Sequence, residues 1–109
     1  MKLLRAIIRP EREDAVLQKL EEVGLFAVTK MGVLGRGQQR GIHVGKIKYD
    51  TLSKIMLLLV VEDEEYDKAT AAIAAGGLTG YPGDGKIFVH DVSEVYTIRT
   101  GMMHSGASD

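Results

Sequence analysis

The chain repeats itself, and this constrains its fold more than any other feature. Gly24 and Gly77 stand at equivalent places in two units that align without a gap. Leu3-Leu4-Arg5-Ala6-Ile7-Ile8 corresponds to Met56-Leu57-Leu58-Leu59-Val60-Val61, residues 11–23 correspond to 64–76, and Leu25 corresponds to Leu78. Each unit reads as an apolar strand, an amphipathic segment and a glycine stop. In the first unit Val16, Leu20 and Val23 share one helical face, with Leu17 and Gly24 beside them. Pro10 suits the first helical turn, where its missing N–H is not needed. In the second unit Asp63 is the expected N-cap, and Glu64 and Glu65 favour the positive end of the helix dipole. Gly76-Gly77 is expected to supply a left-handed C-terminal turn. Further strands are expected over 26–34, 87–92 and 95–98. The order β-α-β-loop-β-α-β-β predicts an α+β chain with the ferredoxin-like split βαβ arrangement and one extra C-terminal strand.

At 109 residues this is one domain, 1–109. So short a chain buries only about 60–70% of its unfolded surface, which makes an oligomer a reasonable expectation. The net charge of −1 gives no global pull towards nucleic acid or anionic membrane. Cysteine is absent, so disulfides and thiolate metal sites are excluded. Without an apolar run of membrane-span length or a signal-peptide pattern, the expected location is cytoplasmic.

Chemistry concentrates in Thr79-Gly80-Tyr81-Pro82-Gly83-Asp84-Gly85-Lys86, which runs into Ile87-Phe88-Val89. Glycines let backbone N–H groups approach a ligand, successive N–H groups make an anion-binding concavity, and a lysine adds a point charge. The 79–86 stretch therefore fits a phosphate loop, and equally a hairpin turn that needs glycines for its shape. It is not a Walker loop: Ile87 stands where a hydroxyl is needed, and a strand follows instead of a helix.

Residues 35–54 form a second feature, expected as a long mobile loop between two strands. The segment carries Arg36, Arg40, Lys46, Lys48 and Lys54 against Asp50, with Ile42, Val44, Ile47 and Tyr49 alternating. Composition fits a solvated surface loop. A connection this long inside a compact domain argues for a role. Arg99, before Thr100-Gly101, either clamps a phosphate or ends a strand in water. Residues 102–109 read as a flexible tail. His43, His90 and His104 show no metal-ligand spacing, and the paired carboxylates sit at helix starts, where capping explains them. No residues remain to carry an enzymatic activity.

Ala6-Ile7-Ile8-Arg9-Pro10, the Gly35-to-Gly41 stretch, Gly83-Asp84-Gly85-Lys86-Ile87-Phe88-Val89 and Ile98-Arg99-Thr100-Gly101 occur in this order. Together they resemble the PII nitrogen signal-transduction family over residues 1–101. The resemblance implies a trimer with ATP or ADP in clefts between subunits. It implies 2-oxoglutarate bound beside Mg-ATP, and a long loop that docks on targets. Carried over, Thr29 and Val60 would meet the adenine. Gly35, Arg36, Gly37 and Gln38 would line the nucleotide, Gly83, Asp84, Gly85 and Lys86 would hold phosphates, and Arg99 would reach them from a neighbouring subunit. Gln39 would meet the magnesium. Lys54, Gly83 and the backbone of Arg40 and Gly41 would receive 2-oxoglutarate. Arg40, His43, Lys46, Lys48 and Tyr49 would form the docking loop.

The loop is shorter than in widespread bacterial members, which carry a uridylylated tyrosine at its tip. Here Tyr49 lies near the far base. Thr97 replaces a common basic residue, and Leu58 a common acidic one. The short basic loop resembles the nitrogenase-associated branch, which implies nitrogenase as target and either a homotrimer or a hetero-oligomer with a PII paralogue. A PII regulator of an ammonium channel or glutamine synthetase, and a PII-like fold with a role outside nitrogen metabolism, are the alternatives. An RNA-binding ferredoxin-like fold would need aromatic platforms that residues 3–8 lack.

Overall fold

The computed structural model describes residues 1–36 and 51–103. Four antiparallel strands form the main sheet: β1 (Lys2–Ile8), β2 (Thr29–Gly35), β3 (Leu52–Val61) and β4 (Gly85–Asp91), in the order β2-β3-β1-β4. The helices α1 (Glu13–Glu22) and α2 (Tyr66–Gly77) follow β1 and β3, so the two repeat units are β1-α1-β2 and β3-α2-β4. Their first strands form the central pair, with Leu4 opposite Leu59 and Ala6 opposite Leu57. This is the expected ferredoxin-like arrangement.

The core lies between the sheet and the helices. Alternate residues Leu4, Ala6 and Ile8 of β1 and Leu57, Leu59 and Val61 of β3 are buried against Val16 and Leu20 of α1 and Ala69, Ala72 and Ile73 of α2. Side chains in a strand point to alternating faces, so the intervening residues line the opposite side of the sheet. Leu3, Ile7, Met31, Met56, Leu58, Val60 and Phe88 form that helix-free face. It is largely apolar but also carries Arg5, Lys86 and His90, and it is partly exposed, with Met31 at 43% and Phe88 at 45%.

Several boundaries differ from the sequence reading for local reasons. The strand expected over 26–34 begins at Thr29, and its partner β3 starts at Leu52 because Gly35 pairs with Leu52 and Val33 with Lys54. Gly35 and residues 52–54 therefore belong to strands, and the expected loop is shorter than 35–54. Its residues 37–50 lie outside the described residues. The 87–92 strand begins earlier, at Gly85. Asp63 is not the N-cap. Glu62 takes that place in a reciprocal capping box with Glu65, and Asp63 pairs instead with the Met1 amine at 3.0 Å.

Gly76 and Gly77 do not form a left-handed turn but end α2 in helical conformation. Their smallness serves packing: a Cβ on Gly76 would stand 2.6 Å from Val16 Cα on α1. Gly24, by contrast, takes φ 82° at the end of α1. The last strand shrinks from 95–98 to β5 (Tyr96–Thr97), and it pairs with β6 (Met102–Met103). Met102 and Met103 thus belong to a hairpin and not to the tail, and residues 104–109 lie outside the described set.

Candidate functional site

Because neighbouring strands run in opposite directions, one end of the sheet gathers the finish of β1 and β2 and the start of β3 and β4. Ile8 faces Ile55 on one side and Gly85 on the other, and Gly35 faces Leu52. The glycine loop and Lys54 therefore meet here, although they are far apart in sequence.

Gly85 fixes where the loop enters β4. Its φ is +110°, and a Cβ there would stand 1.7 Å from the Ile7 carbonyl oxygen. Only glycine permits β4 to begin in contact with β1 at this point. Gly80 and Gly83 also take positive φ, at 90° and 100°, which turns the chain back over residues 79–84.

Asp84 holds the loop together. Its carboxylate accepts hydrogen bonds from the Thr79 hydroxyl, from the Thr79 and Gly80 backbone N–H groups at 2.9 Å each, and from Arg9 Nε at 3.1 Å. The Thr79 hydroxyl and N–H, followed by Gly80 and Arg9, hold the carboxyl well below the usual carboxylate range against the opposing effect of desolvation. Arg9 also donates through Nη2 to the Pro82 carbonyl at 2.6 Å. Lys54 Nζ donates to the Gly83 carbonyl at 2.8 Å. Two cations thus draw in two successive carbonyls of the loop.

Of the sequence-selected residues, Gly83, Asp84, Gly85, Lys86, Gly35 and Lys54 come together at this end of the sheet. The Asp84 side chain is taken up by Thr79, Gly80 and Arg9. Arg36 follows β2 directly, next to the same end. Thr29 and Val60 do not join this group. Thr29 pairs with Leu58, so both lie towards the other end of the β2–β3 ladder. Six residue steps along β2 separate Thr29 from Gly35, or about 20 Å. Arg99 sits in the turn between β5 and β6, outside the main sheet. Gly37, Gln38, Gln39, Arg40, Gly41, His43, Lys46, Lys48 and Tyr49 lie outside the described residues.

Sequence reasoning assigned no role to Arg9 or Thr79. A signal for Arg9 existed in its place between the strand end and Pro10, but apart from Glu11, at 3.9 Å, its partners Pro82 and Asp84 lie more than seventy positions away. A cavity of about 300 Å³ opens beside the loop, with an apolar floor of Ile8, Ile73, Ala74 and Gly77 and with Asp84 and Lys86 among its lining. Among the described residues no group of His, Asp or Glu could hold a metal ion, and no helix is long and apolar enough to cross a membrane.

The family model described as Nitrogen regulatory protein P-II matches residues 1–102. The "Nitrogen fixation nifHD1 region GlnB-like protein 1" of Methanosarcina barkeri is 54% identical over 101 residues, covering 93% of this chain and 96% of that one. The "Nitrogen regulatory protein P-II" of Pasteurella multocida is 42% identical over 105 residues, covering 93% and 94%. The crystal structure of Arabidopsis thaliana PII bound to citrate superposes with a TM-score of 0.82 at 29% identity, covering 99% of this chain and 90% of that one.

Proposed function

This chain belongs to the nitrogen regulatory protein P-II family, and we propose that it reports nitrogen status by binding ATP or ADP and 2-oxoglutarate and regulates nitrogenase by direct contact. Proteins of this family are signalling regulators and not enzymes, and relatives of this chain are named for nitrogen-fixation regions.

The observation that carries the ligand reading is the Lys54–Gly83 bond at 2.8 Å. It joins the start of the strand after the basic segment to the phosphate-type loop. A ligand at this point therefore acts on both at once. The loop suits phosphates: glycines at 80, 83 and 85 leave its backbone N–H groups without a neighbouring Cβ, and Lys86 follows at the start of β4. Gly83, Asp84 and Gly85 would offer N–H groups, and Lys86 a charge. Magnesium, held by Gln39 and phosphate oxygens, would supply positive charge that a dicarboxylate needs beside Asp84. Lys54 would receive one carboxylate. The citrate in the Arabidopsis protein supports a polycarboxylate effector.

A nucleotide that meets Thr29 and Val60 as well as the glycine loop calls for more than one chain, since these residues lie towards opposite ends of the sheet. The helix-free apolar sheet face and the exposed hairpin, with Ile98 at 98% and Met102 at 68%, supply surfaces for an assembly. A homotrimer, or a hetero-oligomer with a paralogue, fits both. Arg99 would then approach the phosphates of a neighbouring subunit. Within this reading Arg40, His43, Lys46, Lys48 and Tyr49 dock on the target, and 2-oxoglutarate with ATP releases it by favouring another loop form.

A pull-down from nitrogen-fixing cells after ammonium addition tests the target. Nitrogenase components recovered without effectors, and lost when 2-oxoglutarate plus Mg-ATP are added, are expected. Recovery of an ammonium channel or glutamine synthetase instead, or no change on deleting residues 42–48, would reject nitrogenase.

A further inference from the structure

We propose that Arg9 is a positioning residue for the anion site: by clasping the glycine loop from behind, it aims the backbone N–H donors at the ligand. Every peptide bond among the described residues is trans, so each carbonyl points opposite to the N–H of the next residue. Arg9 Nη2 holds the Pro82 carbonyl at 2.6 Å, which directs the Gly83 N–H the other way. Lys54 holds the Gly83 carbonyl at 2.8 Å and does the same for the Asp84 N–H. Neither N–H has an acceptor among the described residues.

Arg9 does more than hold one carbonyl. Its Nε donates to Asp84 Oδ1 at 3.1 Å, so one guanidinium spans the loop from Pro82 to Asp84. Asp84 in turn ties down the Thr79 and Gly80 N–H groups at the start of the same loop. The planar fork can make both contacts in a fixed relation, which a lysine's single ammonium does not reproduce. Arg9 itself sits at the end of a central strand, three-quarters covered, and is anchored by β1 on one side and Pro10 on the other. The loop carries glycines at 80, 83 and 85, and glycine loses more freedom on ordering than any other residue. Without the clasp the loop samples other forms, and apparent affinity falls by the fraction of time it spends in the competent one.

This inference rests on the nucleotide reading above, and the experiment separates the two. Arg9→Ala and Arg9→Lys are compared with wild type by calorimetric titration of Mg-ATP and ADP, and by hydrogen exchange of the ligand-free proteins. In Arg9→Ala, dissociation constants rise about tenfold, as a competent fraction of about one tenth requires. Exchange accelerates at Thr79 and Gly80, whose N–H groups bond the Asp84 carboxylate, but not at Leu57 or Leu59 in the core, and the unfolding midpoint stays close to wild type. Arg9→Lys, which retains charge without the fork, restores only part of the affinity. Tight wild-type binding with unchanged affinity or unchanged exchange in Arg9→Ala overturns the clasp alone. Full rescue by lysine overturns the argument for the fork. Should the alanine variant fail to fold, Arg9→Lys and Arg9→Gln carry the same comparison, with wild-type affinity in both as the contrary result. No ATP binding by wild type strikes the nucleotide reading itself.

Discussion

Replacing Gly85 by alanine should unfasten the site where the loop meets the sheet. Two costs add at this position. A non-glycine residue at φ +110° loses about 1–2 kcal/mol from backbone strain. The new Cβ would also stand 1.7 Å from the Ile7 carbonyl oxygen, and backbone cannot swing aside as a side chain can. Overpacking of this kind costs about 1–3 kcal/mol, so Gly85→Ala is expected to destabilise by about 2–5 kcal/mol in all. The chain holds its own control. Gly80 also has positive φ, at +90°, yet a Cβ there meets nothing within 4 Å. Gly80→Ala should bear the strain alone, about 1–2 kcal/mol. Urea unfolding at one fixed protein concentration separates the two variants, with the Gly85→Ala midpoint lower by about 1 M than that of Gly80→Ala. ATP affinity should fall with it, since Lys86 follows directly. Equal midpoints for the two variants would refute the close approach of β4 to β1.

Lys86→Ala removes a charge-assisted phosphate contact worth about 1.5–3 kcal/mol, so ATP affinity measured by calorimetry should drop roughly ten- to hundredfold. The Asp84 carboxyl is held below its ordinary range, so the stability it contributes is present above the ordinary carboxylate pKa of about 3.9 and is lost as pH falls through the folded value. Backbone resonances of Thr79 and Gly80 should therefore hold their positions from neutral pH down to about 4 and shift only below it, whereas Asp84→Asn should flatten that response. Gly76→Ala should destabilise despite alanine's better helix propensity, because its Cβ would stand 2.6 Å from Val16 Cα; unfolding by denaturant measures the loss, up to about 2 kcal/mol after the gain in propensity of about 1 kcal/mol.

The repeat made the fold legible, because each unit's apolar alternation and glycine stop belong to local physics. What the sequence hid was long-range. Glu62 caps the helix in a box with Glu65, while Asp63 pairs with the Met1 amine, 62 positions away. Gly76 looked like a helix terminator and instead gives α1 room to approach, a demand visible only once two helices are packed. Met102 and Met103 look like tail residues in isolation and become strand only by pairing with Tyr96 and Thr97. At the site, the glycine loop was readable from its composition. Arg9 was not, because its partners come to it through the register of β1 with β4.

The most direct test of an effector-sensing role is calorimetric titration of 2-oxoglutarate into the protein alone, with Mg-ATP, and with ADP. Lys54 is already engaged with the Gly83 carbonyl, and the Asp84 carboxylate follows that carbonyl in the same loop. A dicarboxylate should therefore need a magnesium ion beside it, and the γ-phosphate that ADP lacks is what would hold the metal there. The expected result is saturable heat with Mg-ATP and none with the protein alone or with ADP. Micromolar binding without nucleotide, or undiminished binding by Gln39→Ala in the presence of Mg-ATP, would contradict it.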